Sequence, residues 1–127
     1  MRLYLVRHAE AAPGKPDALR SLTAEGRVTA RAVADELAPR SVDAVVSSPL
    51  LRARETAELI ARACGVVLQT DDRLAPGAVL EDLRAAVTGR GQTVVAVGHN
   101  PDCAGIVLAL TGRAAQFPPG AYRELEL

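Results

Sequence analysis

The chain contains no tryptophan, two tyrosines and one phenylalanine. Its core must therefore be built from Ala, Val and Leu. At 127 residues, 49% of them hydrophobic, it is expected to form a single domain over 1–127. Cysteine is equally scarce. Cys64 and Cys103 fit neither a zinc pattern nor a disulfide framework and are expected to be small buried apolar residues. No apolar run approaches the roughly 18 residues of a membrane span. Strand-like residues begin at position 2, with no basic-then-apolar leader before them, so a cytoplasmic protein with no membrane partner is expected. There is no excess of either charge, with 15 acidic and 15 basic residues. That balance speaks against a nucleic-acid binder working through a broad basic field. Lysine is nearly absent: Lys15 is the only one, and every other cation is arginine. Histidine occurs only twice, as His8 and His99. Two histidines flanked by arginines make a poor cation site, so no metal and no cofactor are expected.

What is present alternates between two kinds of segment. Short apolar runs at 3–6, 44–47, 66–69 and 93–97 read as buried strands. Between them lie helical patterns at about 23–38, 51–64, 80–87 and 103–110, and an alternating tail at 122–127 reads as an edge strand. The first helix is expected to start at an N-cap, Thr23, and to bury Val28, Ala32, Val33 and Leu37. The second is expected to bury Ala53, Ala57, Ile60, Ala61 and Cys64, with Arg54 paired to Glu58 on its outer side. This order predicts an α/β fold of three layers (α/β/α), a mostly parallel twisted sheet with helices on both faces.

In such sheets ligands bind beyond the carboxyl ends of the strands. Three of those ends carry chemistry. The first strand runs into Arg7-His8, the second into Ser48-Pro49-Leu50-Leu51-Arg52, and the fourth into Gly98-His99-Asn100-Pro101. Arg52 falls in the first turn of a helix, where its side chain and the helix amides both favour an anion. If the first and fourth strands are neighbours, the two histidines share one pocket with Arg7 and Arg52. A tetrahedral dianion such as phosphate suits that set.

Arg7-His8-Ala9 resembles the Arg-His-Gly signature of the histidine phosphatase superfamily, with Ala in place of Gly. Residues 48–56, Ser-Pro-Leu-Leu-Arg-Ala-Arg-Glu-Thr, resemble its second motif, and Gly98-His99 its third. The resemblance implies a phosphoglycerate mutase-like fold. It also implies roles: His8 takes the phosphoryl group and water then releases it, while Arg7, Arg52 and His99 hold the phosphoryl oxygens. Residues 17–23 resemble a segment of the small SixA-type phosphohistidine phosphatases, which makes Arg20 a candidate substrate contact. Asn100 is another.

One departure narrows the substrate. Many family members place a glutamate acid in a Leu-x-Glu pattern after the third strand, and here the matching residues are Leu74-Ala75-Pro76. Proline cannot donate a proton. An alkoxide leaving group needs one, whereas a histidine leaving group needs much less help. The loops are also too short to enclose a small substrate. The expected partner is thus a phosphohistidine-bearing protein. The alternative is a small phosphorylated substrate, with Glu81 or Asp82 as acid; Glu10 is a third carboxylate within reach of the role. A non-catalytic phosphate binder is the remaining reading.

Overall fold

The computed structural model describes residues 1–127. Five strands form one sheet: β1 (Arg2–Arg7), β2 (Ala44–Ser47), β3 (Leu68–Thr70), β4 (Thr93–Gly98) and β5 (Tyr122–Glu126). Their order is β3-β2-β4-β1-β5, and every pairing is parallel except that of β5, which runs antiparallel along β1. Four helices connect them: α1 (Ala24–Leu37), α2 (Leu51–Cys64), α3 (Leu80–Val87) and α4 (Asp102–Thr111).

Alternation along the strands fills two cores. Leu3, Leu5, Val94 and Ala96 point to one face, where Leu83, Ala86 and Val87 of α3 and Ile106 and Val107 of α4 cover them. Tyr4, Val6, Val95 and Val97 point to the other, under Val33, Ala34 and Leu37 of α1 and Ala53, Ala57, Ile60 and Ala61 of α2. Small alanines on α1 and α2 let these helices lie close to the sheet, with Tyr4 the one fully buried aromatic beneath them. Burial pushes the Cys103 thiol up to about 12, as expected of an inert core residue.

Several local expectations are corrected. The buried stripe of α1 is Gly26, Ala30, Val33, Ala34 and Leu37, whereas Val28 and Ala32 face solvent. Tertiary packing sets that phase: Gly26 sits against the main chain of Glu10, where an added Cβ would lie 2.2 Å from the carbonyl oxygen. The third strand starts later than its apolar run, because Val66 and Val67 belong to the turn after α2 and Val67 is 83% exposed. Cys64 is only half-buried at the end of α2. Arg54 does not pair with Glu58. Its Nε donates to the Pro49 carbonyl at 2.9 Å, and Glu58 instead accepts from Arg62 one turn on.

The Gly26 contact joins the start of α1 to the residues that follow His8. Gly26→Ala forces backbone apart rather than a side chain. It should lower the unfolding free energy by about 1–3 kcal/mol, the usual range for overpacking, measured by urea titration of the purified variant.

Candidate active site

Parallel pairing of β1 with β4 sets Arg7 opposite Gly98, and the ladder continues one step beyond the strands as the His8 amide donates to the Gly98 carbonyl at 3.0 Å. His8 and His99 therefore leave adjacent strands side by side, with ring centroids 5.2 Å apart and planes at 62°. On the other side of β4, the Ser48 amide donates to the Val97 carbonyl, so the end of β2 arrives at the same place. The three strand ends picked out by the sequence converge.

Each ring is held by a specific partner. Nδ1 of His8 lies 2.7 Å from the Ala9 carbonyl oxygen. A carbonyl only accepts, so Nδ1 carries the hydrogen and Nε2 of the neutral ring keeps its lone pair. The main chain there is fixed in turn: the buried Thr56 hydroxyl accepts from the Ala9 amide at 3.0 Å and donates to the Arg52 carbonyl at 2.9 Å. His99 is 4% exposed, and its Nε2 lies 2.7 Å from the hydroxyl of the fully buried Ser48. The Ser48 oxygen also accepts from the Leu50 amide at 3.2 Å.

The arginines are anchored differently. Arg7 donates from one terminal nitrogen to the Phe117 carbonyl at 2.8 Å, and its Nε is buried without any protein partner. The segment that supplies Phe117 is stitched to the end of β1: the Arg7 amide donates to Ala121, and the Gly120 amide to the carbonyls of Arg7 and His8. Arg52, whose side chain is 8% exposed, donates to the main-chain oxygen of Asp17 at 3.0 Å and to its carboxylate at 3.2 Å. No side chain caps the start of α2 at Leu50. Arg20 sits on the same loop as Asp17. Its Nε donates to Ala12 and a terminal nitrogen to the Asp17 carboxylate at 3.1 Å. The loop is clasped at its base by Ser21, Leu22 and Arg27, all of which donate to Glu55 of α2.

These charges act on both imidazoles. Burial lowers the pKa of His8, and the charges of Arg52, Arg7 and Arg20 add to it against the opposing Ala9 hydrogen bond. His99 is pushed down to about 4, chiefly by burial and then by His8 and Arg52. Both rings are neutral at pH 7, one of them with an unprotonated nitrogen free for attack on an electrophile.

Four of the expected residues thus gather: Arg7, His8, Arg52 and His99. Arg20 is close enough for its charge to act on His8. Asn100 sits beside His99, but its side-chain oxygen accepts from the Ala104 amide at 3.2 Å and caps α4. Asp82 accepts from the Val79 amide and caps its own helix, and Glu81 is exposed beside it. Glu10 accepts from the Thr23 hydroxyl at 2.8 Å. The acid whose charge acts most on His99 is Asp17. Pro76 is exposed in a loop held by Asp102, whose carboxylate accepts from the amides of Gly77 and Ala78 at 2.8 and 3.2 Å. Leu74, Ala78, His99 and Asp102 line one small, mostly apolar cavity, so this loop packs beside His99. No group of three or more His, Cys, Asp or Glu side chains converges on a point.

Comparison with known proteins gives the family and the fold. Residues 3–76 match the model of the histidine phosphatase superfamily, branch 1. An uncharacterised protein of Picosynechococcus sp. is 38% identical over 112 residues, which cover 80% of this chain and 68% of that protein. A probable phosphoglycerate mutase GpmB of Serratia proteamaculans is 38% identical over 81 residues, 58% of this chain but only 37% of that longer protein. Among solved structures, the protein histidine phosphatase SixA complexed with tungstate superposes with a TM-score of 0.87 at 25% identity, covering 100% of this chain and 88% of SixA. A putative phosphohistidine phosphatase SixA from Agrobacterium tumefaciens gives 0.84 at 31% identity, covering 98% and 90%.

Two outcomes follow from the rings. Both histidines bind a proton more weakly folded than unfolded. Stability is then complete above the unfolded value of about 6.5 and falls as pH is lowered through the folded value of His99, about 4. Urea titrations between pH 7.5 and 4 should show that decline above the window of Asp71, which Arg73 holds down to about 2. Ser48→Ala removes the partner of His99 and leaves the Leu50 amide bare. It should cost about 1–3 kcal/mol of unfolding free energy, read from the same titrations at pH 7.5.

Proposed function

The chain belongs to the histidine phosphatase superfamily, and on that footing we propose that it hydrolyses protein phosphohistidine through a covalent intermediate on His8. The observation that carries the reading is the pair of neutral histidines between two arginines, with Pro76 rather than a carboxylate on the bordering loop. That a SixA of the same fold is complexed with tungstate, a tetrahedral oxyanion, supports the reading.

The chemistry follows from the side chains. The lone pair of His8 Nε2 forms a bond to phosphorus as the P–N bond to the substrate imidazole breaks. The leaving ring keeps that electron pair and departs neutral when its other nitrogen carries a proton. His8 becomes a phosphoimidazolium whose Nδ1–H remains donated to Ala9. Arg7, Arg52 and His99 stabilise the charge on the transferring oxygens, and the buried, partnerless Nε of Arg7 is one donor for them. Water then attacks phosphorus, the P–Nε2 bond breaks, its pair returns to the ring, and the water proton goes to phosphate.

A small-molecule phosphomonoesterase is the second reading, favoured by the sequence similarity to a probable phosphoglycerate mutase. In that case Asp102, bordering the cavity with His99, is better placed as the acid than Glu81 or Asp82.

A histidine-phosphorylated phosphotransfer domain should lose phosphate far faster with the enzyme than without it, and His8→Ala should abolish both turnover and the acid-labile phosphoenzyme. Arg7→Ala and Arg52→Ala should each lower kcat/KM by about 10- to 150-fold, the weight of a charged hydrogen bond. Phosphate release no faster than spontaneous loss, together with turnover of an alkyl phosphate that Asp102→Asn removes, would transfer the assignment to the second reading.

A further inference from the structure

We propose that Asp17 is a built-in counter-ion of the phosphoryl clamp, a carboxylate that the incoming phosphoryl group displaces and that sets how tightly the site holds phosphate. This rests on the phosphoryl-pocket reading above. One Asp17 oxygen accepts from Arg52 at 3.2 Å and the other from Arg20 at 3.1 Å, so two arginines grip it as they would an oxyanion. The two partners are unequal. Arg52 is 8% exposed, a nearly buried cation that needs an anion beside it, whereas the Asp17 side chain is 64% exposed. A largely solvated carboxylate gives up its pairing at little cost. Nothing in the short 3-10 turn Asp17–Leu19 is buried, so the side chain can turn outward without disturbing either core. The turn itself stays docked, because the main-chain oxygen of Asp17 keeps its own bond to Arg52.

Charge decides the exchange. A phosphoryl dianion carries twice the charge of the carboxylate and more acceptor oxygens, so it wins the guanidinium donors. Without Asp17, Arg7, Arg20 and Arg52 would face inorganic phosphate unopposed and the product would leave slowly. With it, a carboxylate stands ready to take the donors back. Asp17 thus sets the affinity of the site for anions, and its removal should tighten anion binding, whereas removal of a residue that merely orients Arg52 should weaken it.

The test is the affinity for inorganic phosphate, measured by titration calorimetry on the wild type, Asp17→Asn and Asp17→Ala at one pH and ionic strength. Both variants should bind about fivefold more tightly, the weight of a partly exposed ion pair. Phosphate should also raise their melting temperature more than it raises that of the wild type, which reads the same quantity in a variant of lower stability. Equal or weaker binding by the variants overturns the assignment of Asp17 and leaves the phosphoryl pocket standing. Failure of all three proteins to bind phosphate removes the pocket reading and this one with it.

Discussion

The parallel pairing of β1 with β4 is the constraint on which the site depends. It sets the ends of two strands level, so that the residue after each one is a histidine beside a histidine. The pairing of β2 with β4 does the same for Ser48. Side chains on neighbouring strands are held at a fixed spacing by the ladder, and rigid elements position reactive groups more closely than loops do. The 5.2 Å between the rings is therefore a property of the sheet. The helices then close around it, α1 through Gly26 against Glu10 and α2 through Thr56 against Ala9.

The electrostatics have a matching logic. Arginine stays charged at any physiological pH, so the group of Arg7, Arg20 and Arg52 around His8 has one charge state. Those fixed cations, together with burial, keep both imidazoles neutral. One main-chain carbonyl, that of Ala9, then chooses which nitrogen of His8 holds the lone pair. A near absence of lysine and the presence of only two histidines thus have a use in the site: few groups near it can change charge.

Much of this was legible in the residues. The α/β alternation, the extents of α2 and α3, and the gathering of Arg7, His8, Arg52 and His99 follow from apolar runs ending abruptly in reactive pairs. What was missed has several causes. Phe117 and Ala9 act through main-chain carbonyls, which no side chain announces. Asp17 opens a short 3-10 turn and Asp102 opens α4, positions where acids are common, and only the approach of Arg52 or of the Gly77 amide distinguishes them. Ser48 had a signal, its place directly after a strand on the pocket side, yet serine before proline also reads as an ordinary strand stop. The phase of α1 was misjudged because Val28 and Ala32 continue a helical spacing as well as Ala30 and Ala34 do, and only the packing of Gly26 on Glu10 breaks the tie.

The position of β1 in the sheet has a consequence for how the protein comes into being. Both of its edges are filled by strands from the far end of the chain: Leu3 pairs with Val94 on one side and with Leu125 on the other. Although β1 precedes β4 and β5 in chain order, it is thus among the last strands of this sheet to find its partners, and contacts of such long sequence separation form slowly. Until β4 and β5 arrive, β1 is an unpaired hydrophobic edge, a template for aggregation. His8 is made before residues 99 and 117, and only when those residues have followed can His99 stand beside it and Phe117 hold Arg7. Partial chains carry His8 without the residues that surround it.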